Sequence, residues 1–149
     1  MVRKEKVMDV QIKRLYPDAV LPGYASPGDA GLDLCAEHGG IVEVGDRKLV
    51  LTGLAVAIPV GHMGLILPRS GLALKHGITV LNAPGLIDSG YRGELGVVLY
   101  NAGRERYDWS AGDRVAQLVI LPFPSISLVQ VEELDETERG KSGFGSTGS

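Results

Sequence analysis

The segment with the clearest chemical potential spans residues 85–94 and reads GLIDSGYRGE. Gly90 and Gly93 are expected to bend the chain sharply, so Asp88 would lie at the mouth of a tight turn. A carboxylate held there can take a proton from water when a substrate places an electrophile nearby. Tyr91 offers a flat aromatic face that suits a sugar or a base. The alternative interpretation is a β-hairpin in which Asp88 only satisfies its own turn.

A second candidate site is the PRSG segment at residues 68–71. Arg69 carries a planar fork of donors, which matches the geometry of a phosphate. Ser70 and Gly71 stand where the backbone amides of a helix start point outward. The alternative is an ordinary surface arginine followed by a serine that caps a helix.

Two carboxylates, Asp29 and Asp33, flank Gly31. They are too few for a metal site made of protein ligands alone, but they suit Mg²⁺, which keeps its waters and takes other ligands from substrate phosphates. The three histidines do not have ligand spacing and no Cys/His cluster exists, so the sequence argues against a zinc site. The histidines also lack the neighbours of a Ser/His/Asp triad.

The last stretch, residues 139–149, contains four glycines, three serines and one threonine. Its resemblances to dinucleotide-binding and Walker motifs fail on context, because the chain ends at once and position 135 is Asp135 instead of glycine. The backbone N–H groups of such a segment could still wrap phosphate oxygens. The alternative is a plain disordered terminus, and in either case we expect a mobile tail outside the core.

The elements that must position these residues are short strands. The chain has 21 glycines and 8 prolines, and the β-branched runs between them predict an all-β sandwich, barrel or jelly roll. Within the 85–94 segment, Leu86 and Ile87 are expected to be buried. The predicted strands cover residues 7–12, 41–44, 49–52, 54–58, 63–67, 78–81, 95–100, 115–121 and 126–132.

One short helix is predicted after the PRSG segment, with Ser70 as its cap, a helical turn over residues 72–76 and Gly77 as its end. The run at residues 115–121 is apolar except for Gln117. Such a strand is expected to be buried on both faces, with a partner subunit as part of its cover.

Bulk composition sets the remaining limits. A chain of 149 residues favours one domain, and 44% apolar with 22% charged residues is typical of a folded protein. No apolar run is long enough to span a bilayer, and the N-terminus lacks the apolar stretch of a secretory signal. The single cysteine, Cys35, excludes an internal disulfide and fits a reducing cytoplasm. The net charge of −3 argues against a nucleic-acid polymer as partner, although a local basic pocket could hold a nucleotide.

Five segments, taken together and in order, resemble the trimeric deoxyuridine triphosphatase (dUTPase) family. They are DAGLDL at residues 29–34, PRSGLA at 68–73, GLIDSGYRGE at 85–94, RVAQL at 114–118 and RGKSGFGSTG at 139–148. Any one of them alone is a weak signal, but five in the family's order are specific. The resemblance assigns no role to Cys35.

The resemblance implies an all-β fold of the jelly-roll or β-clip type, a distorted barrel with one short helix. It implies one β domain over residues 1–138 and a tail at residues 139–149 that closes the active site. The activity implied is Mg²⁺-dependent attack of water on the α-phosphorus of dUTP. Hydrolysis of dUTP to dUMP and pyrophosphate would keep uracil out of DNA and supply dUMP for thymidylate synthesis. The resemblance further implies a cytoplasmic homotrimer whose active sites are shared between subunits.

By the same resemblance, Asp88 orients and deprotonates the attacking water. Tyr91 lies against the deoxyribose and leaves no space for a 2′-hydroxyl group. Asn82 and the backbone of a hairpin from residue 85 to residue 96 read the uracil edge. Asp33 touches a water bound to the magnesium ion.

The phosphates would be held by a neighbouring subunit's Arg69, Ser70 and Gly71, assisted by Gln117. In the tail, Phe144 would stack on uracil while Arg139, Ser146 and Thr147 approach the γ-phosphate. Further backbone contacts with the substrate are expected at Gly85, Leu86, Ile87, Gly96 and Gly145.

Two alternatives stay open on the sequence alone. One is a deoxycytidine triphosphate deaminase of the same fold, which would need a catalytic glutamate and its own arginine-serine-serine segment. The other is a catalytically silent trimer that binds nucleotides, which would be expected to lack Asp88 or the tail.

Overall fold

The computed structural model describes residues 7–143, and this part of the chain contains eleven β-strands and one helix. The all-β prediction with one short helix after the PRSG segment is therefore confirmed. In chain order the elements are β1 (Gln11–Arg14), β2 (Leu32–Cys35), β3 (Gly40–Val42), β4 (Arg47–Leu51), β5 (Leu54–Ala57), β6 (His62–Leu67), α1 (Ser70–His76), β7 (Ile78–Val80), β8 (Gly85–Ile87), β9 (Gly96–Asn101), β10 (Tyr107–Trp109) and β11 (Arg114–Pro122).

The strands form four small sheets rather than one closed barrel. The largest sheet has the order β2-β11-β6-β8, and a second has the order β4-β9-β7. Two-stranded sheets pair β1 with β5 and β10 with β3, and all pairings are antiparallel. One hydrophobic core joins the two larger sheets, with Leu34 and Leu118 from the first and Val97 and Leu99 from the second.

The central strand β9 of the second sheet turns one face toward the core. Val97, Leu99 and Asn101 are buried, while the residues between them are only half-buried. Asn101 is fully buried and polar, but its amide donates to the carbonyl groups of Val42 and Glu105 at 3.1 and 2.8 Å. A buried side-chain amide satisfied in this way can stabilise the loop after β9.

The helix ends as predicted but begins differently. Gly77 adopts a left-handed conformation (φ +69°), and its N–H group bonds back to the carbonyls of Ala73 and Leu72. Such a geometry favours glycine and stops the helix. The prediction that Ser70 caps the helix was wrong by one residue, because the extended residue before the helix is Arg69 and Ser70 is the first helical residue.

Most predicted strands differ from the observed ones by one or two residues at an end, and two differ by more. The strand predicted over residues 7–12 runs instead from Gln11 to Arg14, because Gln11 already pairs with Ala57, the last residue of β5. The strand predicted over residues 126–132 was wrong. These residues are exposed, and they pair with no strand among residues 7–143. An apolar pattern cannot form a strand without a partner for its backbone groups. The sequence also missed β2, β8 and β10, which have only three or four residues each.

The central strand β11 is only partly buried in the single chain. Residues up to Leu118 pair with β2 on one side, and those from Gln117 onward pair with β6 on the other. Val115, Ala116 and Leu118 are buried, whereas Ile120 is half-buried and Leu121 is exposed. The prediction of burial on both faces is confirmed for the first half of the strand only.

The expected hairpin over residues 85–96 was also wrong. The strand β8 pairs with β6, and β9 pairs with β4 and β7, so the segment between β8 and β9 connects two different sheets. Ile87 is buried as expected, but Leu86 is 61% exposed, because it lies on the outer face of an edge strand. Within the described residues, no helix is long and apolar enough to cross a membrane.

Candidate active site

The first cavity, which we call the arginine cavity, has a volume of about 420 Å³ and lies where β2, β11 and the start of α1 meet. It brings together the residues predicted to contact a metal ion and the residues predicted to hold the phosphates. Its lining consists of Ala25, Asp29, Ala30, Gly31, Asp33, Arg69, Ser70, Gly71, Arg114 and Gln117.

Three charged side chains, those of Asp33, Arg69 and Arg114, form ion pairs in this cavity. Nε of Arg69 lies 3.2 Å from one oxygen of the Asp33 carboxylate, and a guanidinium nitrogen of Arg114 lies 3.4 Å from the other. Arg69 also donates to the backbone carbonyl of Arg114 at 3.1 Å. Each guanidinium carries five N–H groups, so both arginines keep donors that can contact an anion.

The second carboxylate, Asp29, is engaged locally. Its Oδ2 atom accepts a hydrogen bond from the backbone N–H of Ser26 at 2.8 Å. Among residues 7–143, no group of three or more His, Cys, Asp or Glu side chains could hold a metal ion. The lining of the arginine cavity therefore offers a metal two carboxylates, Asp29 and Asp33, together with whatever ligands a substrate brings.

A hydrogen bond explains why the otherwise apolar strand β11 has a polar side chain at Gln117. Its amide donates to the carbonyl of Pro68 at 2.9 Å, which holds the turn that carries Arg69. Gly31 lies directly below this side chain, and a Cβ atom at that position would overlap the amide oxygen of Gln117. A glycine in the DAGLDL segment thus makes room for the glutamine.

Cys35 lies at the end of β2, behind the arginine cavity. Burial raises the pKa of its thiol, the charge of Asp33 raises it further, and Arg114 and Arg69 act in the opposite direction. A buried, protonated thiol is a poor nucleophile. The burial of Cys35 therefore disfavours a nucleophilic role for its thiol.

The second cavity, which we call the edge cavity, has a volume of about 200 Å³ and lies beside β8. The strand β8 is at the edge of its sheet, so the backbone groups on its outer side have no strand partner among the described residues. The cavity lining consists of Ile66, Asn82, Gly85, Leu86, Ile87, Asp88, Tyr91, Glu94, Leu95 and Gly96.

Asp88 directly follows β8 and is exposed. Its carbonyl accepts the N–H of Tyr91 at 3.1 Å and closes a turn, but within residues 7–143 no hydrogen bond or ion pair engages its carboxylate. The interpretation in which this carboxylate only satisfies its own turn is therefore not supported. Tyr91 is 46% exposed, and its hydroxyl group donates to the carbonyl of Glu94 at 2.9 Å.

The arginine cavity and the edge cavity share no lining residue. A single chain thus separates the predicted phosphate ligands from the predicted base and sugar contacts. Arg139 lines neither cavity, since it is exposed in a turn where its Nε donates to the carbonyl of Ser142 at 3.1 Å. The remaining predicted tail contacts lie outside the described residues, namely Phe144, Gly145, Ser146 and Thr147.

Sequence reasoning missed two residues that the structure brings to these cavities. Arg114 lines the arginine cavity, and its position at the start of the RVAQL segment was the available signal. Glu94 lines the edge cavity and ends the GLIDSGYRGE segment. Its side chain accepts the N–H of Gly53 at 2.8 Å, a contact across the fold that no local pattern could reveal.

Comparison with known proteins gives a consistent result. The family model for dUTPase matches residues 18–148. The chain is 52% identical to the deoxyuridine 5′-triphosphate nucleotidohydrolase of Syntrophotalea carbinolica over 145 residues, which cover 96% of this chain and 99% of the relative. The corresponding protein of Wolinella succinogenes is also 52% identical, over 143 residues that cover 96% of each chain.

Solved structures agree with the sequence relatives. A mutant dUTPase of Staphylococcus bacteriophage 80alpha with dUpNHpp superposes with a TM-score of 0.89 at 30% identity, covering 96% of this chain and 100% of that one. A mutant dUTPase of phage phi11 of S. aureus, described with a structural Mg(II) ion, has a TM-score of 0.79 at 30% identity and covers 85% and 98% of the two chains. The match along residues 18–148 and the 52% identity over nearly the full length of the bacterial relatives show that the chain belongs to the dUTPase family.

Proposed function

We propose that this chain is a dUTP diphosphatase that hydrolyses dUTP to dUMP and pyrophosphate in active sites shared between the subunits of a homotrimer. One observation carries the proposal: a free carboxylate and an aromatic face line one cavity, and two arginines line another, with no residue in common. A nucleoside triphosphate needs both kinds of surface at once. The bacterial relatives named deoxyuridine 5′-triphosphate nucleotidohydrolase support the choice of substrate.

The edge cavity suits the nucleoside. The outer backbone edge of β8, from Gly85 to Ile87, can pair with the donor and acceptor groups of a uracil ring, and the amide of Asn82 extends this edge. The ring of Tyr91 forms the adjoining wall. A deoxyribose packed on that ring would leave no room for a 2′-hydroxyl group, which gives a physical reason for preferring dUTP over UTP.

Asp88 is the proposed general base. Its carboxylate takes a proton from a water molecule while the oxygen of that water bonds to the α-phosphorus. The bond between the α-phosphorus and the bridging oxygen to the β-phosphorus then breaks, and pyrophosphate leaves. A carboxylate without an ion pair among the described residues is available for this task.

The arginine cavity of a neighbouring subunit would hold the phosphates. Arg69 and Arg114 keep unused donors, and Ser70 and Gly71 are exposed beside them. Phosphoryl transfer depends mainly on positioning and on cations that offset the charge of the phosphate oxygens. Gln117 assists by fixing the turn that carries Arg69.

The donor set of the arginine cavity fits a magnesium ion that arrives with the triphosphate. Asp33, in the DAGLDL segment, is the residue that would contact its water shell, with Arg69 and Arg114 beside its two oxygens. When bound, the ion would neutralise phosphate charge and orient the triphosphate chain. The relative described with a structural Mg(II) ion supports this assignment.

The homotrimer is supported by what a single chain leaves uncovered. The second half of β11 is partly exposed, and large apolar side chains follow it, with Leu128 at 91% and Leu134 at 85% exposure. The tail from Arg139 onward would close over the assembled site, with Phe144 on the base and Ser146 and Thr147 near the γ-phosphate. We place the reaction in the cytoplasm, where Cys35 would remain a free thiol.

A substrate panel tests the proposal. We would measure pyrophosphate and ammonia release from dUTP, dCTP and UTP in the presence of Mg²⁺. We expect pyrophosphate from dUTP, much less from UTP, and no ammonia. Ammonia from dCTP would instead identify a deaminase of the same fold, and the absence of any product would identify a nucleotide-binding protein without catalysis.

A further inference from the structure

We propose that Glu94 is a positioning residue that fixes the ring of Tyr91 and thereby sets the preference for dUTP over UTP, an inference that rests on the proposed function. Glu94 is not placed as a base or a ligand in that function. Its backbone carbonyl is hydrogen-bonded to Tyr91, whose ring is the proposed wall against the sugar. Its side chain is hydrogen-bonded to a buried turn.

The first link joins the Tyr91 ring to residue 94. The hydroxyl of Tyr91 donates to the carbonyl of Glu94 at 2.9 Å. Between them, Gly93 lies directly against the ring, since a Cβ atom there would come within 2.6 Å of Cζ of Tyr91. The N–H of Tyr91 is held at 3.1 Å by the carbonyl of Asp88. The ring is therefore held flat on its own loop even though nearly half of the residue is exposed.

The second link joins residue 94 to a buried turn. The Oε1 atom of Glu94 accepts the N–H of Gly53 at 2.8 Å. Gly53 is buried between β4 and β5, has a left-handed conformation (φ +70°), and lies so close to Ala19 that an added Cβ atom would be 2.8 Å from the methyl group of that alanine. A turn packed this tightly cannot follow a moving loop, so it acts as a fixed anchor.

The neighbouring residue strengthens the same anchor. The N–H of Leu95 donates to the carbonyl of Leu54 at 2.7 Å, and the carbonyl of Leu95 accepts both the N–H of Thr52 at 3.2 Å and its hydroxyl at 2.8 Å. Thr52 is fully buried. The loop that carries Tyr91 is thus held at residues 94 and 95 by the turn over residues 52–54.

The sugar preference depends on this anchor because a wall excludes a hydroxyl group only if the wall does not move. A ring freed by about 1 Å could make room for the 2′-hydroxyl of UTP, and displacements of that size matter at reacting centres. The side chain of Glu94 is hydrogen-bonded to Gly53 and not to Asp88, although Glu94 and Asp88 both line the edge cavity, and Glu94 does not line the arginine cavity. Loss of the anchor should therefore change selectivity more than turnover of dUTP.

The test compares Glu94→Ala, Glu94→Gln and Tyr91→Phe, with Glu43→Ala as a matched control at an exposed glutamate. The glutamine oxygen can still accept the N–H of Gly53, whereas alanine leaves that buried donor without a partner. Phenylalanine keeps the ring and removes only the hydroxyl tether. We would measure kcat/KM for dUTP and UTP, and hydrogen exchange of the Gly53 amide in the free protein.

We expect the dUTP-to-UTP ratio of kcat/KM to fall about tenfold in Glu94→Ala and in Tyr91→Phe. It should stay near wild type in Glu94→Gln and Glu43→Ala. The Gly53 amide should exchange faster in Glu94→Ala than in Glu94→Gln. Tyr91→Phe alters an exposed hydroxyl, so it remains informative if Glu94→Ala does not fold.

Three results would overturn the inference. They are an unchanged ratio in Tyr91→Phe, an equal loss of selectivity in Glu94→Gln and Glu94→Ala, and equal losses for both substrates in Glu94→Ala. A wild-type protein that does not prefer dUTP would refute the proposed function itself. The two failures can be told apart, because the hydrogen-exchange rate of the Gly53 amide would still differ between Glu94→Ala and Glu94→Gln.

Discussion

Nε of Arg69 lies 3.2 Å from the Asp33 carboxylate, so the proposed phosphate ligand and the proposed magnesium contact are already paired within one chain. Arg114 approaches the other oxygen of the same carboxylate at 3.4 Å. One carboxylate therefore orients two guanidinium groups at the rim of the arginine cavity. Substrate binding and metal dependence should both respond to changes in this triad.

Replacing Asp33 with asparagine should separate its pairing with Arg69 from its contact with the water shell of Mg²⁺. Asparagine keeps an oxygen that accepts from Arg69, but it removes the negative charge that attracts the water shell of Mg²⁺. We expect the Mg²⁺ concentration for half-maximal activity to rise about tenfold, with a smaller change in KM for dUTP at saturating metal. Asp29→Asn is the control, because Asp29 lines the same cavity but is bound to Ser26. An unchanged metal dependence in Asp33→Asn would remove Asp33 from the metal site.

Replacing Asp88 with asparagine should abolish most turnover without affecting the fold. The side chain is exposed and makes no contact that stabilises the described part of the chain. Loss of a general base typically lowers the rate by roughly 10²–10⁴-fold. We would compare kcat, the Kd of a non-hydrolysable dUTP analogue and Tm with wild type. Turnover within about threefold of wild type would show that another group accepts the proton.

Mixing two inactive variants should restore activity if active sites are shared. Trimers assembled from equal amounts of Arg69→Ala and Asp88→Asn should contain sites with an intact Asp88 from one subunit and an intact Arg69 from another. Random assembly predicts about one quarter of wild-type activity. The mixture of Asp88→Asn and Asp88→Ala is the control, since no site in it can recover the carboxylate. Persistent inactivity of mixed trimers, or a monomeric mass at micromolar concentration, would exclude shared sites.

Deleting residues 142–149 should leave a stable protein with slow turnover. Residues 123–142 are exposed, so little core packing depends on this end of the described chain. If the tail closes over the bound triphosphate, its loss should reduce kcat on the order of 100-fold by loosening the attack geometry. Tm and kcat at saturating Mg²⁺ would be measured together. Equal turnover would show that closure is unnecessary, and a large drop in Tm would show a structural role.

The buried thiol predicts how stability depends on pH. Burial raises the pKa of Cys35 above its ordinary value of about 8.5, so the folded state holds the thiol proton more tightly than the unfolded state does. The stability this provides is complete below the ordinary value and is lost as the pH rises through the raised one. Tyr107, whose pKa burial also raises, is present in wild type and in Cys35→Ala alike.

The measurement is the free energy of unfolding of wild type and Cys35→Ala from about pH 7.5 to about pH 10. Wild type should lose more stability than the variant over the alkaline part of this range. Parallel curves would show that the thiol titrates alike in the folded and unfolded states.

The sequence by itself determined the local features of this protein. Residues 95–100 predict a strand because they form a short β-branched run between turn residues, and Val97 and Leu99 are indeed buried. Gly77 ends the helix because its left-handed conformation suits a residue without a Cβ atom. The motif segments identified the family because each contains its chemical groups within a few neighbouring residues.

Only the tertiary structure decided what depends on distant partners. The segment after β8 enters a second sheet instead of a hairpin, because β9 pairs with β4 and β7. The apolar run at residues 126–132 forms no strand, because no described strand offers its backbone a partner. The bond from Gly53 to Glu94 and the separation of the arginine cavity from the edge cavity follow from such long-range pairing. The energy of these contacts depends on register and burial, which residue order alone does not specify.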